Sequence, residues 1–240
     1  MTDLSGDERI LGIVGGTGPE STVDYYRSLV ATWRRRRPDG SYPRVIINSI
    51  EAGRVFGNLS AGDFGAVGRD LGPAVAALAS AGCQLALLAS NASHLAYDLI
   101  EPKPRITLIH IVDAARDAAT RAGFRRLGLI GTRFVMESDL YPARMAPVGL
   151  EVFLPTTRER ELVHEIYFGE LVAGVIRDGS RDALGAVVAA MRDRDQIDAI
   201  VLGGTELALI LTEPTCAGVP VLNTAQIHVD AAVDWLLGPT

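Results

Sequence analysis

Cysteine is nearly absent from this chain: 240 residues hold two, Cys83 and Cys216. A disulfide-built fold is thereby excluded, and both thiols are expected to be reduced in a cytoplasmic setting. Long apolar runs are missing as well. None approaches the roughly 20 residues of a membrane span, and no secretory apolar segment precedes Ile10, so no membrane partner is expected. Net positive charge is lacking too: a formal charge of −6 argues against a nucleic-acid surface. The local exception is Arg34 to Arg37, four arginines in a row. These read as the solvated end of a helix, stabilised at its negative pole, with a phosphate-binding patch as the alternative. Lysine is scarce beside arginine, the bias of a GC-rich genome. The run GGTGPE at Gly15–Glu20 lacks the Gly-Lys-Ser/Thr ending of a phosphate loop and is no dinucleotide fingerprint. No residues have metal-ligand spacing backed by further ligands, so neither a metal nor another cofactor is expected.

What is present is a globular core. The chain is 48% hydrophobic and 22% charged, and its length suits two compact lobes of roughly 100 residues each. Short Val/Ile/Leu-rich strands are predicted at Ile10–Val14, Arg44–Asn48, Gln84–Ala89, Ile106–Ile109, Leu127–Ile130, Glu151–Leu154, Ala199–Leu202 and Val219–Leu222. Helical patterns lie at Ser21–Arg36, Ala66–Ala81, Ser93–Ile100, Val135–Met145, Arg158–Arg177, Arg181–Arg194 and Thr224–Leu237. This alternation predicts α/β architecture with mainly parallel sheets and right-handed crossovers. Residues 49–65, with Gly53, Gly57 and Gly62, read as a long functional loop.

An internal repeat organises the chain. ILGIVGGTGPESTVDYY and RLGLIGTRFVMESDLY each run an apolar strand into a glycine, Gly15 or Gly131, with a tyrosine ten residues on, Tyr25 or Tyr141. LLASNASHLAYD and IVLGGTEL follow at comparable places, one per half. Each is an apolar run that breaks into small polar residues and an acid or base, at the strand end where open α/β sheets place their chemistry.

These segments resemble the aspartate/glutamate racemase family. GIVGGTGPESTVDYY is similar to that family's GGMGPxAT opening, SNASH at Ser90–His94 to its CNTAH, and GTRFVMESDLY to its GTxxTMxxxxY. LGGTEL is similar to LGCTEI, PVLNTAQIHVDAAVDW to PVxDTTxIHAxAAV, and HEIYFGELVAGVIRDGSR at His164–Arg181 to the family's segment between the last helices. The resemblance implies two pseudo-symmetric lobes, each a mainly parallel sheet flanked by helices, with an active-site cleft between them and no cofactor. The lobes are expected at 1–115 with 222–240, and at 116–221. Relatives of this kind are commonly dimers, so a homodimer is expected.

In the family two cysteines stand at the positions of Ser90 and Gly204. One thiolate removes an α-proton and the other thiol returns one, which suits a group whose pKa is about 8.5. Serine is a far weaker acid, and glycine offers no group. Cys83 precedes its strand and Cys216 is expected in the loop before the last one, so neither replaces them. The expected catalytic candidates are therefore Ser90, His94 and Glu206. Glu206 is equally readable as a charge that complements a helix end, and His94 as a brace for its loop. The resemblance assigns the substrate walls to Gly16, Thr17, Asn91, Ala92, Ser93, Thr132, Val135, Gly204, Thr205 and His228, with Asn223 near the cleft floor. Ala92 and Val135 stand where the family has threonine, and Gly204 is expected to empty volume, so a larger or less polar acid than aspartate is expected. His110 reads as structural, and His164 as the solvated start of a helix.

Three functions follow. The first is an enzyme with altered chemistry, an isomerase, lyase or cyclisation catalyst acting on a small carboxylate or carbonyl compound through an enolate-like state. The second is a residual racemase using Ser90 or water. The third is a non-catalytic member that binds a small acid or a protein partner.

Overall fold

The computed structural model describes residues 9–101 and 105–238. It divides into two compact units, one comprising the chain up to Ile111 and again from His228 onward, the other Val112–Ile227.

The first unit opens with β1 (Ile10–Gly15), α1 (Pro19–Arg36), β2 (Arg44–Ser49), α2 (Ala52–Ser60), α3 (Phe64–Ser80) and β3 (Leu85–Leu88). A 3-10 helix, Ala92–Leu99, and the short β4 (Thr107–Leu108) complete it. Its strands lie in the order β2-β1-β3-β4, all parallel. β1 and β3 are the central strands. Their apolar residues are buried on both faces, which is why they read as continuous apolar runs. Arg34, Arg35 and Arg36 form the exposed last turn of α1 and Arg37 caps it, with Arg36 paired to Asp234 at 2.7 Å.

The chain enters the second unit within α4 (Ile111–Ala122). There follow β5 (Arg126–Gly131), α5 (Arg133–Met136), α6 (Pro142–Met145), β6 (Glu151–Phe153), α7 (Thr157–Gly169), α8 (Asp178–Asp195), β7 (Ala199–Gly203), α9 (Leu207–Ile210), β8 (Thr215–Cys216) and β9 (Val219–Asn223), and then α10 (Thr224–Leu237), within which the chain returns to the first unit at His228. The sheet order is β6-β5-β7-β9-β8, with β8 antiparallel to β9 and the rest parallel. The core of this unit is built largely from one face each of α7 and α8 against β5 and β7: Val163, Ile166, Tyr167, Leu184, Val188, Ile130, Ile200 and Leu202.

The two sheets repeat one plan. Leu11 pairs with Leu85, and its repeat counterpart Leu127 pairs with Ala199. Five residues beyond Leu85 is Ser90, and five beyond Ala199 is Gly204. Strand register alone therefore makes positions 90 and 204 equivalent. Likewise Leu108 pairs with Ala86 and Val221 with Ile200, so His110, two residues on, answers to Asn223.

Several expected elements differ. Residues 49–65 are not a loop. Val55 and Leu59, one turn apart, are buried and hold α2 despite Gly53 and Gly57, and the Glu51 side chain caps its start by accepting from Gly53 N–H at 2.7 Å. The helix expected over 158–177 ends at Gly169, where a 3-10 turn at Leu171–Ala173 and left-handed Gly174 separate it from α8. The pattern at 135–145 is two single turns, α5 and α6. Cys216 sits in a strand, β8, not in a loop. α4 has no counterpart in the predicted elements, because it follows β4 almost directly, with no turn signal between them.

Candidate functional site

Each unit gathers polar residues where its central strands end, and the two sets are described in turn. In the first unit, β1 leaves the sheet through Gly16, whose φ is +93°. A side chain there would run into the Ile50 carbonyl at 2.2 Å, so the position requires glycine. Its N–H is taken by Thr22 Oγ1 at 2.9 Å. Thr17, next in the chain, is buried.

Beside it, β3 ends at Leu88 and the chain turns through Ser90 and Asn91 into the 3-10 helix. Both are buried, as are Ala92 and Ser93. Ser90 Oγ accepts the Ser93 N–H at 3.4 Å, and the Ser90 carbonyl accepts from His94 Nδ1 at 2.8 Å. A carbonyl can only accept, so Nδ1 carries a proton. Ser93 Oγ, in a residue 1% exposed, has no hydrogen-bond partner.

His94 is the centre of an aromatic cluster. Its ring lies 4.7 Å from His110, 5.6 Å from His228 and 5.9 Å from Tyr97, centroid to centroid. His228, fully buried, donates from Nε2 to the Ile109 carbonyl at 3.0 Å and meets the Tyr25 hydroxyl through Nδ1 at 3.1 Å. Both its nitrogens are thus engaged within the protein. Burial, reinforced by neighbouring His94, drives its pKa down to about 3, so the ring is neutral. His110 matches no motif, yet it belongs to this cluster through its ring contacts with His94 and Tyr97.

In the second unit, Gly131 and Gly203 are paired at the ends of β5 and β7, and Thr132 and Gly204 leave the sheet as neighbours. Thr132 Oγ1, in a residue 4% exposed, has no partner. Val135 is buried and packs towards Gly203, where an added Cβ would come within 3.2 Å of its Cγ1. Glu206, 2% exposed, stands at the start of α9. It accepts from Thr205 Oγ1 at 2.9 Å and from the Tyr167 hydroxyl. Asn223 caps α10, its side chain accepting the Gln226 N–H at 3.1 Å.

Two expectations change here. Gly204 does not leave empty volume: a Cβ at 204 would come within 2.4 Å of Tyr167 Cε2, so the Tyr167 ring fills that space. His164 lies in the middle of α7, not at a helix start. It is half-buried, its Nδ1 accepts the Arg133 N–H at 3.2 Å, and its ring packs on Phe134 and Phe168. Burial and the nearby Arg133 charge lower its pKa. Tyr167 was not among the candidates. Its signal is the spacing of His164, Tyr167 and Phe168, which puts all three on one face of a helix.

Both cysteines are buried at the amino ends of their sheets. Cys83 precedes β3, and Cys216 pairs with Val219, the first residue of β9. Burial raises both thiol pKa values. Among the described residues no group of three or more His, Cys, Asp or Glu could hold a metal ion, and no helix is long and apolar enough to cross a membrane.

Residues 14–232 match the family model of Asp/Glu/hydantoin racemase. A crystal structure of a proposed Asp/Glu racemase from Yersinia pestis is 32% identical, with a TM-score of 0.85 over 96% of this chain and 100% of that one. An aspartate racemase homologue from Pyrococcus horikoshii OT3 is 30% identical, with a TM-score of 0.81 over 95% of this chain and 99% of that one. The aspartate racemase of Picrophilus torridus, at 18% identity and a TM-score of 0.77 over 94% and 92% of the two chains, shares the fold.

Proposed function

Because the chain belongs to the Asp/Glu/hydantoin racemase family, we propose that it is a cofactor-independent isomerase or lyase that moves a proton at a carbon beside a carboxylate or carbonyl group, without thiols. The observation that carries this reading is the pair of register-equivalent positions at the ends of β3 and β7. Serine and glycine stand there, and both cysteines are buried at the opposite strand ends. In the first unit His94 has the chemistry of a general base, with its tautomer set by the Ser90 carbonyl. Ser93 and Thr132 each bring a buried hydroxyl with no internal partner. Buried hydroxyls are ordinarily satisfied, so each, within its own unit, is suited to donate to an oxygen of a bound carbonyl compound. Gly16, Thr17, Asn91 and Ala92 shape the surroundings of the first set, and Val135 and Thr205 those of the second. His228, with both nitrogens engaged, acts in this reading as a support.

The test is hydrogen exchange in heavy water, followed by proton NMR, with aspartate, glutamate and 5-methylhydantoin as probes. The C5 proton of methylhydantoin is expected to exchange faster with the protein than in buffer, and alkylation by iodoacetamide should leave that rate unchanged. Aspartate and glutamate are expected to keep their α-protons. Absence of methylhydantoin exchange, or its loss on alkylation of a still-folded protein, overturns the reading.

A further inference from the structure

The space beside Gly204 is occupied by a group with chemistry of its own. Tyr167 Cε2 lies 2.4 Å and its Cζ 3.1 Å from where a Cβ at 204 would stand, so the phenol takes the place of a side chain at that strand end. α7 delivers it there from the side, Tyr167 being part of the unit's apolar core. The hydroxyl end is polar. It donates to Glu206 Oε2, the oxygen that also accepts from Thr205 Oγ1 at 2.9 Å. Across the Gly131–Gly203 pair, Thr132 brings its unpartnered buried hydroxyl to the same strand ends. A phenol and a carboxylate are thus hydrogen-bonded to each other in a buried setting, and an orphaned hydroxyl follows the neighbouring strand end, where burying such groups has a cost that packing alone does not require.

We infer that Tyr167 and Glu206 form a proton relay in which the phenol is the group that meets the substrate, while Thr132 holds a substrate oxygen. This rests on the proton-transfer reading above and supplies the acid–base groups of the second unit. In the forward step the substrate C–H bond breaks and its electron pair passes onto the adjacent carbonyl as an enolate. The released proton bonds to the Tyr167 oxygen as that oxygen's own proton moves to Glu206 Oε2. Protonation of the enolate runs the same transfers in reverse, and no further reagent is consumed. Burial and the Glu206 charge push the phenol well above its ordinary pKa, so Tyr167 passes a proton on and does not stand as a free phenolate. The final acceptor is a carboxylate, a weak base. Such a base matches a C–H acidified by neutral carbonyl groups, as in a cyclic ureide, better than the α-C–H of a free amino acid.

The test compares methylhydantoin exchange by the wild type with that by Tyr167→Phe, Glu206→Gln and Thr132→Val, each checked for folding by circular dichroism. Tyr167→Phe and Glu206→Gln are expected to lower the exchange rate roughly 100-fold or more, the usual size of a lost acid–base group. Thr132→Val should mainly raise KM. In case Tyr167→Phe does not fold, 3-fluorotyrosine placed at position 167 keeps the ring and its hydrogen bond but makes the phenol more acidic. A relay changes its rate with that acidity, and a purely structural tyrosine does not. Wild-type exchange in folded Tyr167→Phe, or in the fluorotyrosine protein, overturns the relay and leaves the proton-transfer reading standing. A wild type that exchanges no methylhydantoin brings down that reading, and the relay with it.

Discussion

At the end of β3 the chain turns through Ser90 and Asn91 into a 3-10 helix whose His94 meets two further histidines. At the register-equivalent end of β7 it turns through Gly204 and Thr205 to Glu206, and α7 presses a tyrosine into the space beside the glycine. The backbone plan is the same, and what surrounds it is not. The first end is built from clustered imidazoles, with His94 and His228 held by carbonyls and His228 also by a phenol. The second joins a carboxylate to two hydroxyl donors. Sheet register decides where a polar group emerges, whereas the helix packed against that point decides which proton-bearing group is found there.

The sharpest way to break this comparison is pH. An unfolded histidine titrates near 6.5 and folded His228 near 3, so between these values only the unfolded chain binds that proton. Stability from this group is complete above pH 6.5 and falls by about 1.4 kcal/mol per pH unit below it, or roughly 2 kcal/mol by pH 5. Urea unfolding of the wild type and His228→Gln at pH 7.5 and pH 5 should show the variant with a shallower loss. Equal slopes would remove His228 as the cause.

Substitution at the equivalent positions separates the two ends further. Gly204→Ala forces a methyl group into the Tyr167 ring and should cost about 1–3 kcal/mol. Most of that cost should vanish in a Tyr167→Leu background, as read by a double-mutant cycle in urea. Ser90→Ala removes only a helix-start acceptor and should cost about 0.5–1 kcal/mol. Comparable costs at the two sites would mean that Tyr167 does not distinguish them.

The smallest effect is expected at the unpartnered hydroxyl. Thr132→Val leaves no broken hydrogen bond behind, so unfolding free energy should move by no more than about 0.5 kcal/mol. The melting-temperature rise produced by 5-methylhydantoin should nevertheless shrink in this variant, since a ligand stabilises only by binding the native state. A large loss of stability would show that the hydroxyl serves the fold.

The central strands were legible because β1, β3, β5 and β7 are buried on both faces and leave unbroken apolar runs. α2 was not, because glycines at 53 and 57 carry a loop signature and only the burial of Val55 and Leu59 overrides it. Among the candidate residues, Ser90, His94, Thr132, Gly204 and Glu206 announce themselves by position after a strand. Tyr167 sits in the last turn of α7 within an ordinary amphipathic pattern, where an aromatic reads as core, and His110 follows its strand without a motif.

By itself the sequence determined the α/β plan, the repeat and the absence of thiols at positions 90 and 204, because each is a matter of local pattern and of order along the chain. Only the tertiary structure decided which side chains share an environment. It brought Tyr167 to Glu206 across 39 positions of chain and Tyr25 to His228 across 203. The physical reason is that packing against a strand end depends on the angle and depth at which a helix docks. That is set by the shapes of the residues on both surfaces and leaves no periodic trace in either segment alone.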